Sequence, residues 1–183
     1  MIMSGHNKWS KIKHKKGATD AARSKVFSKH SMLIAMESRG ANGDVNSPKL
    51  AAAIVRAKKD SMPKDNIERA VAKGAGTDGT VLEEIMFEGY GPGGVALLIQ
   101  TVTDNNNRTA PLIRHVFSKA GYELGSPGSA AWAFTKDAEG HYIPSTPMEL
   151  DDETGEKLAN FIEHLEDEED VTNVYTTADS LEE

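Results

Sequence analysis

EEIMFEGYGPGGVALLIQTVT, Glu83 to Thr103, is the stretch whose reading decides the fold. Ile85 and Phe87 alternate with Glu84, Met86 and Glu88, the period of two expected of a strand with one wet face. Gly89 to Gly94 (GYGPGG) turns the chain, and Val95 to Thr103 is a mostly apolar second strand. Two such strands across a glycine-rich turn are expected to pair as a hairpin. The turn lacks the G-K-[ST] tail of a phosphate-cradling loop and stands between strands rather than ahead of a helix, so it is read as a turn and nothing more.

Downstream, Thr109 with Pro111 opens a helix carrying Ile113, Val116, Phe117 and Ala120, stopped by Gly121. Ser129 to Phe134 reads as a strand and Glu153 to Asp170 as a helix with Leu158, Phe161, Ile162 and Leu165 inward. Asn173 to Thr177 reads as a last strand. Helices on one face of a mostly antiparallel sheet are the economical arrangement for that order, so the fold class is α+β.

Upstream, three short helices are expected. The first runs from about Thr19 to Arg39, with Ala22, Val26, Phe27, His30, Leu33 and Ile34 near one face, and Gly40 ends it. Ser47 with Pro48 starts the second, whose stripe is Leu50, Ile54 and Ala57. Pro63 starts the third, with Ile67, Ala70 and Val71, closed by Gly74. None buries enough apolar surface alone, so the three are expected to pack together. GAGTDGT, 74–80, reads as a linker between a helical domain, 1–73, and an α+β domain, 81–177, followed by an acidic tail, 178–183.

Charge is segregated along the same division. Met1 to Lys73 holds 16 Lys and Arg against 6 Asp and Glu, net +10, whereas Gly74 to Glu183 holds 5 against 22, net −17. The whole-chain charge of −7 hides the basic lobe, although the local field decides where a polyanion docks. The longest apolar run, Val95 to Ile99, is far short of a membrane span, and the N-terminus has no apolar segment after its lysines, so no membrane partner or secretion signal is expected. Cysteine is absent, which excludes disulfides, thiolate metal sites and cysteine nucleophiles, and fits a cytoplasmic location.

The densest signal lies between His6 and Lys29. His6, Lys8, Lys11, Lys13, His14, Lys15, Lys16, Arg23, Lys25 and Lys29 stand there with Asp20 as the sole acid. Cations at this density neutralise phosphates, and Trp9 and the histidines can stack on bases or sugars. A solvated charged tail is the duller account, and the interleaved Trp9 and Ile12 argue against it. A second candidate is Asp104 to Arg108 (DNNNR), a polar loop leading into a helix whose free N–H groups could hold a phosphate. Turn chemistry and an N-cap account for its Asn and Thr residues. Arg108 is left over, and is expected on the binding surface with Arg114 and Lys119 extending it.

Nothing points to catalysis, to a cofactor or to a small-molecule substrate. The histidines at 6, 14, 30, 115, 141 and 164 form no H-x-x-x-H pair. The acids from Glu163 to Asp170 read as a solvated helix end rather than a cation site, so no metal is expected.

SGHNKWSKIKHKK, Ser4 to Lys16, resembles the opening of the YebC family, GH-(S/N)-KW-x-x-IKH-(R/K)-K. The resemblance continues through MPKDNIERA (Met62 to Ala70), EGYGPGG (Glu88 to Gly94), DNNNRT (Asp104 to Thr109), IRHVFSKAG (Ile113 to Gly121) and LGSPGSAAWAF (Leu124 to Phe134). It resumes at IPST (Ile143 to Thr146) and runs through LEDEEDVTNVY (Leu165 to Tyr175). The resemblance implies a three-helix N-terminal domain and two α/β domains, one inserted in the other, with ferredoxin-like elements. It implies a DNA-binding transcriptional regulator or, as the alternative, a ribosome-associated translational activator binding RNA. A protein-interaction adaptor whose basic arm docks an acidic partner is a third reading.

Two departures stand out. Between Phe134 and Ile143 this chain has only TKDAEGHY where typical members of the family carry an inserted domain of some tens of residues, so a short loop near 135–142 is expected to replace it. Asn106 stands where the family often has a cation.

Overall fold

The structure is a computed structural model that describes residues 20–138 and 140–179. Glu83–Tyr90 (β1) and Ala96–Thr103 (β2) are neighbours in one sheet, joined through a 3-10 turn at Pro92–Gly94. The turn requires its glycine: Gly93 sits at φ +72, and a Cβ there would lie 2.6 Å from Leu150 Cδ2. Val171–Thr176 (β5) pairs antiparallel on the other side of β2, setting Leu98 opposite Tyr175 and Ile99 opposite Val174. The sheet order is therefore β1-β2-β5.

The apolar run of β2 reflects burial on both faces. Val95, Leu97 and Ile99 pack with Ile113, Val116 and Phe117 of Asn106–Lys119 (α4) and with Leu158, Phe161 and Leu165 of Asp152–Glu166 (α5). The Phe117 and Phe161 rings meet edge to face at 5.0 Å. Ala96 and Leu98 point the other way, beneath Ala130, Ala133 and Phe134. That second face is covered by a small antiparallel hairpin, Phe134–Lys136 (β3) with Tyr142–Pro144 (β4). Both long helices of this unit thus lie on one face of the sheet, the α+β arrangement expected from the element order.

Three local readings differ. Met86 and Glu88 are not on a wet face: Met86 packs against the second core and Glu88 is buried. Ser129 to Phe134 is not a strand but a turn followed by a 3-10 segment at Ala131–Ala133, for a reason given below. The last helix starts at Asp152, capped by Asp151 accepting from the Thr154 amide, and stops at Glu166 rather than Asp170. Its acidic C-terminal run opposes the helix dipole, which disfavours anions at that end.

The helical unit contains Asp20–Gly40 (α1), Pro48–Lys59 (α2) and Lys64–Ala75 (α3). It also includes the chain to Ile85 and Val102–Asn106, while Met86–Thr101 and the chain from Asn107 form the other unit. The single stripe expected on α1 is replaced by burial on two sides. Ile34 packs with Leu50, Ala53 and Ala57 of α2, Met62 of the connection, and Ile67 and Ala70 of α3, and Met32 and Ala35 pack with Leu82 and Val102. Val26, expected inward, is 42% exposed. Ser47 stands at the start of α2 but makes no side-chain cap bond, so Pro48 and the Ala51 amide on the Ser47 carbonyl carry the start. Gly74 does not end its helix: it is buried inside α3, where a Cβ would lie 2.1 Å from the Ala35 carbonyl oxygen. The αL residue is Gly76, at φ +69.

Candidate nucleic-acid interface

Of the expected binding residues, His6, Lys8, Trp9, Lys11, Lys13, His14, Lys15 and Lys16 lie outside the described residues. Arg23, Lys25 and Lys29 are on α1. Lys25 and Lys29, four residues apart, share a helix face, with Lys25 exposed and Lys29 half-buried. Arg23 is exposed but only two residues before Lys25, which places it on a different side. His30 is turned to α2, where its Nε2 lies 2.6 Å from Asp60 Oδ2.

Arg108 belongs to the other unit, and its setting differs from the loop expected. Helix α4 already begins at Asn106, so Arg108 sits in its first turn. Its guanidinium donates to both oxygens of Asp170, at 3.0 and 3.1 Å, and Thr109 Oγ1 donates to the same carboxylate at 2.5 Å. The Asp170 side chain is 6% exposed against 49% for Arg108. A nearly buried carboxylate needs such partners, and it is the anion that the cation at this helix N-terminus calls for. Arg108→Ala is therefore expected to cost about 1–2 kcal/mol of unfolding free energy in a urea titration, the range for a charge-assisted bond with one half-exposed partner. Unchanged stability with weakened nucleic-acid affinity would instead put Arg108 on the binding surface. Arg114 and Lys119 are exposed on α4.

Two residues that matter here carried no signal in the sequence reading. The Glu88 carboxylate, 7% exposed, accepts the backbone N–H groups of Gly128, Ala130 and Ala131 at 2.7, 2.8 and 2.8 Å. Burial pushes its pKa up, but the three amides outweigh that and hold it below the usual glutamate range. Two of these bonds take up the Ala130 and Ala131 amides that a strand over Ser129 to Phe134 would have offered to a ladder, which is why that segment coils. The coil presents Trp132, 73% exposed. Its indole Nε1 donates to the Ser129 carbonyl at 2.9 Å and to the Tyr90 hydroxyl at 3.1 Å, so the ring is oriented with its face open. Only a preference for small neighbours, Ala130, Ala131 and Ala133, marks the position in the sequence.

Among the described residues no group of three or more His, Asp and Glu is placed to hold a metal ion, and no helix is long and apolar enough to cross a membrane.

Comparison with known proteins adds to this geometry. Residues 7–77 match the model of the TACO1/YebC protein N-terminal domain, and residues 82–139 and 135–178 match the model of the TACO1/YebC second and third domain. A probable transcriptional regulatory protein of Desulforapulum autotrophicum is 54% identical over 136 residues, which cover 73% of this chain and 55% of that protein. One of Trichlorobacter lovleyi is 45% identical, over 98% of this chain and 72% of its own length. One of Desulfosudis oleivorans is 38% identical in an alignment of 237 positions covering 96% of each chain, so it carries a stretch without counterpart in the 183 residues here. The crystal structure of a conserved hypothetical protein from Aquifex aeolicus superposes with a TM-score of 0.78 at 31% identity, covering 96% of this chain and 98% of that one.

Proposed function

The chain belongs to the TACO1/YebC family, and from that premise we propose that it is a DNA-binding transcriptional regulatory protein, non-enzymatic and cytoplasmic, that grips the phosphate backbone through its basic N-terminal segment. The relatives of Trichlorobacter and Desulfosudis carry the name probable transcriptional regulatory protein, which supports the regulatory part of the reading. The observation that carries the binding part is the cation density from His6 to Lys29, with one acid, in a chain that is otherwise strongly acidic. Such a segment neutralises phosphates and releases condensed counterions.

The test follows from that physics. Fluorescence anisotropy with labelled duplex DNA and with single-stranded RNA of equal length is expected to show DNA bound more tightly. Affinity is expected to fall a hundredfold or more between about 50 and 200 mM salt, as it does when several phosphates are neutralised. A salt-independent affinity, or no binding to either, overturns the proposal. Tighter binding of RNA transfers it to RNA.

A further inference from the structure

Helix α2, PKLAAAIVRAKK, holds four cations and no acid. It buries Leu50, Ala53 and Ala57 against the helical core, and a flank beside that buried stripe is open to solvent. Lys49, Ala52, Arg56 and Lys59 are all exposed there. Their spacing of three, four and three residues puts them within an arc of about 80° on one face. Lys49, Arg56 and Lys59 make no ion pair or side-chain hydrogen bond among the described residues. The acids that flank the helix in sequence are engaged elsewhere: Asp44 accepts the Asn46 amide, and Asp60 meets His30.

Intrahelical electrostatics explains part of this pattern. Cations in the last turn, here Arg56, Lys58 and Lys59, complement the negative end of the helix dipole. Lys49 is in the first turn, where a cation is disfavoured, and no acid of α2 offsets it. The run of Lys49, Arg56 and Lys59 spans about 15 Å of helix axis at 1.5 Å per residue, with only the small Ala52 between the long side chains. A nucleic-acid strand presents a phosphate every few ångströms, so a face of this length, free of acids and of bulk, can lie along two or three of them.

We propose that this face of α2 is a second phosphate track, in which Lys49, Arg56 and Lys59 each contact the backbone of the bound nucleic acid. The inference rests on the reading of the protein as nucleic-acid-binding, and it adds the cations of α2 to those between His6 and Lys29. Phosphate contacts position a protein without reading sequence, so the track sets orientation and affinity rather than target choice.

The test is the salt dependence of binding by the full chain. The triple variant Lys49→Gln, Arg56→Gln, Lys59→Gln is compared with wild type on labelled duplex DNA and on RNA of equal length. A control variant, Lys58→Gln with Lys64→Gln, removes two cations that border the apolar groove between α2 and α3 instead. The triple variant is expected to bind at least tenfold more weakly at low salt and to show a slope of log affinity against log salt shallower by about 2–3, since each phosphate contact contributes about 0.9 on duplex. The control slope is expected to match wild type. Circular dichroism and the thermal midpoint should not move, because the three side chains are exposed and unpaired. A wild-type slope in the triple variant overturns the track, and so does an equal fall in the control, which would mean net charge alone. Absence of binding by the wild type itself overturns the functional reading and the track with it. The nucleic acid on which the slopes diverge identifies the ligand.

Discussion

Replacing Glu88 by alanine is expected to lower the unfolding free energy by about 3–4 kcal/mol, measured by urea titration at neutral pH. Three N–H groups lose their acceptor together, and an unsatisfied buried donor costs about 1–3 kcal/mol. Ala130 is buried, whereas the bonds at Gly128 and Ala131 are only partly so, and water can reach those two amides once the carboxylate is gone. That keeps the sum well below three full penalties. Glu88→Gln should fall between, because one amide oxygen remains as acceptor while the NH2 group faces a donor. The pH dependence has a fixed sign. The folded-state pKa is depressed below the ordinary value of 4.5, so the stabilisation is fully present above that value and is lost as pH falls through the depressed one. The wild type should therefore lose stability in acid more steeply than Glu88→Gln, and a loss of less than about 1 kcal/mol in Glu88→Ala would show that the loop does not depend on this carboxylate. Because these amides shape the coil that presents Trp132, the same variant should raise the mobility of the indole, read as a fall in tryptophan anisotropy.

Glu88 also shows where the sequence was legible and where it was not. Periodicity reports which side of a strand is apolar, and it located β1, β2 and the turn between them to within a residue or two. It is blind to a carboxylate whose partners lie some forty residues on, so Glu88 reads as facing water and the amides of Ala130 and Ala131 as part of a strand. Helix α1 failed differently. A 3.6-residue stripe is visible when one face is buried, but Ile34 faces one core while Met32 and Ala35 face another, and the two patterns blur into each other. Gly74 reads as punctuation because glycine usually ends helices, yet here its missing side chain lets α3 approach the Ala35 carbonyl. Arg108 reads from the sequence as a binding-surface cation, whereas one of its partners, Asp170, lies 62 residues away in a run that reads as a solvated helix end. Cation density needed no partner to be seen, which is why the binding hypothesis was available from the sequence while the contacts organising the second unit were not.

The hairpin of β3 and β4 bears on how the chain compares with its relatives. The family model for the second and third domains matches in two pieces that meet at 135–139. At that place Lys136 pairs with Tyr142, and the Asp137 amide donates to the His141 carbonyl at 3.0 Å. The two strands thus close on each other in a tight loop, and Phe134 continues to cover Ala96 and Leu98. The second core needs nothing from a longer insertion, since its members all come from residues present here.

Reversing the charge of the N-terminal segment is expected to have the largest effect on binding. Changing Lys11, Lys13, Lys15 and Lys16 together to Glu turns four cations into four anions within six residues. Removing four phosphate contacts takes about 3.6 from the salt slope on duplex, and the new carboxylates repel the backbone they replace contact with. The affinity for duplex DNA at about 50 mM salt should fall at least a hundredfold. The gap should narrow as salt rises, because counterion release supplies less at high salt and screening shortens the reach of the introduced charges. The thermal midpoint discriminates this from unfolding. A lysine side chain is rarely part of an apolar core, so the midpoint should stay within about 2 °C, less than 1 kcal/mol for a chain of this size. Retained affinity with an unchanged midpoint would remove the N-terminal segment from the interface. Should the α2 variant still lose its salt slope in that case, nucleic-acid binding would stand and its main seat would be the folded helical unit.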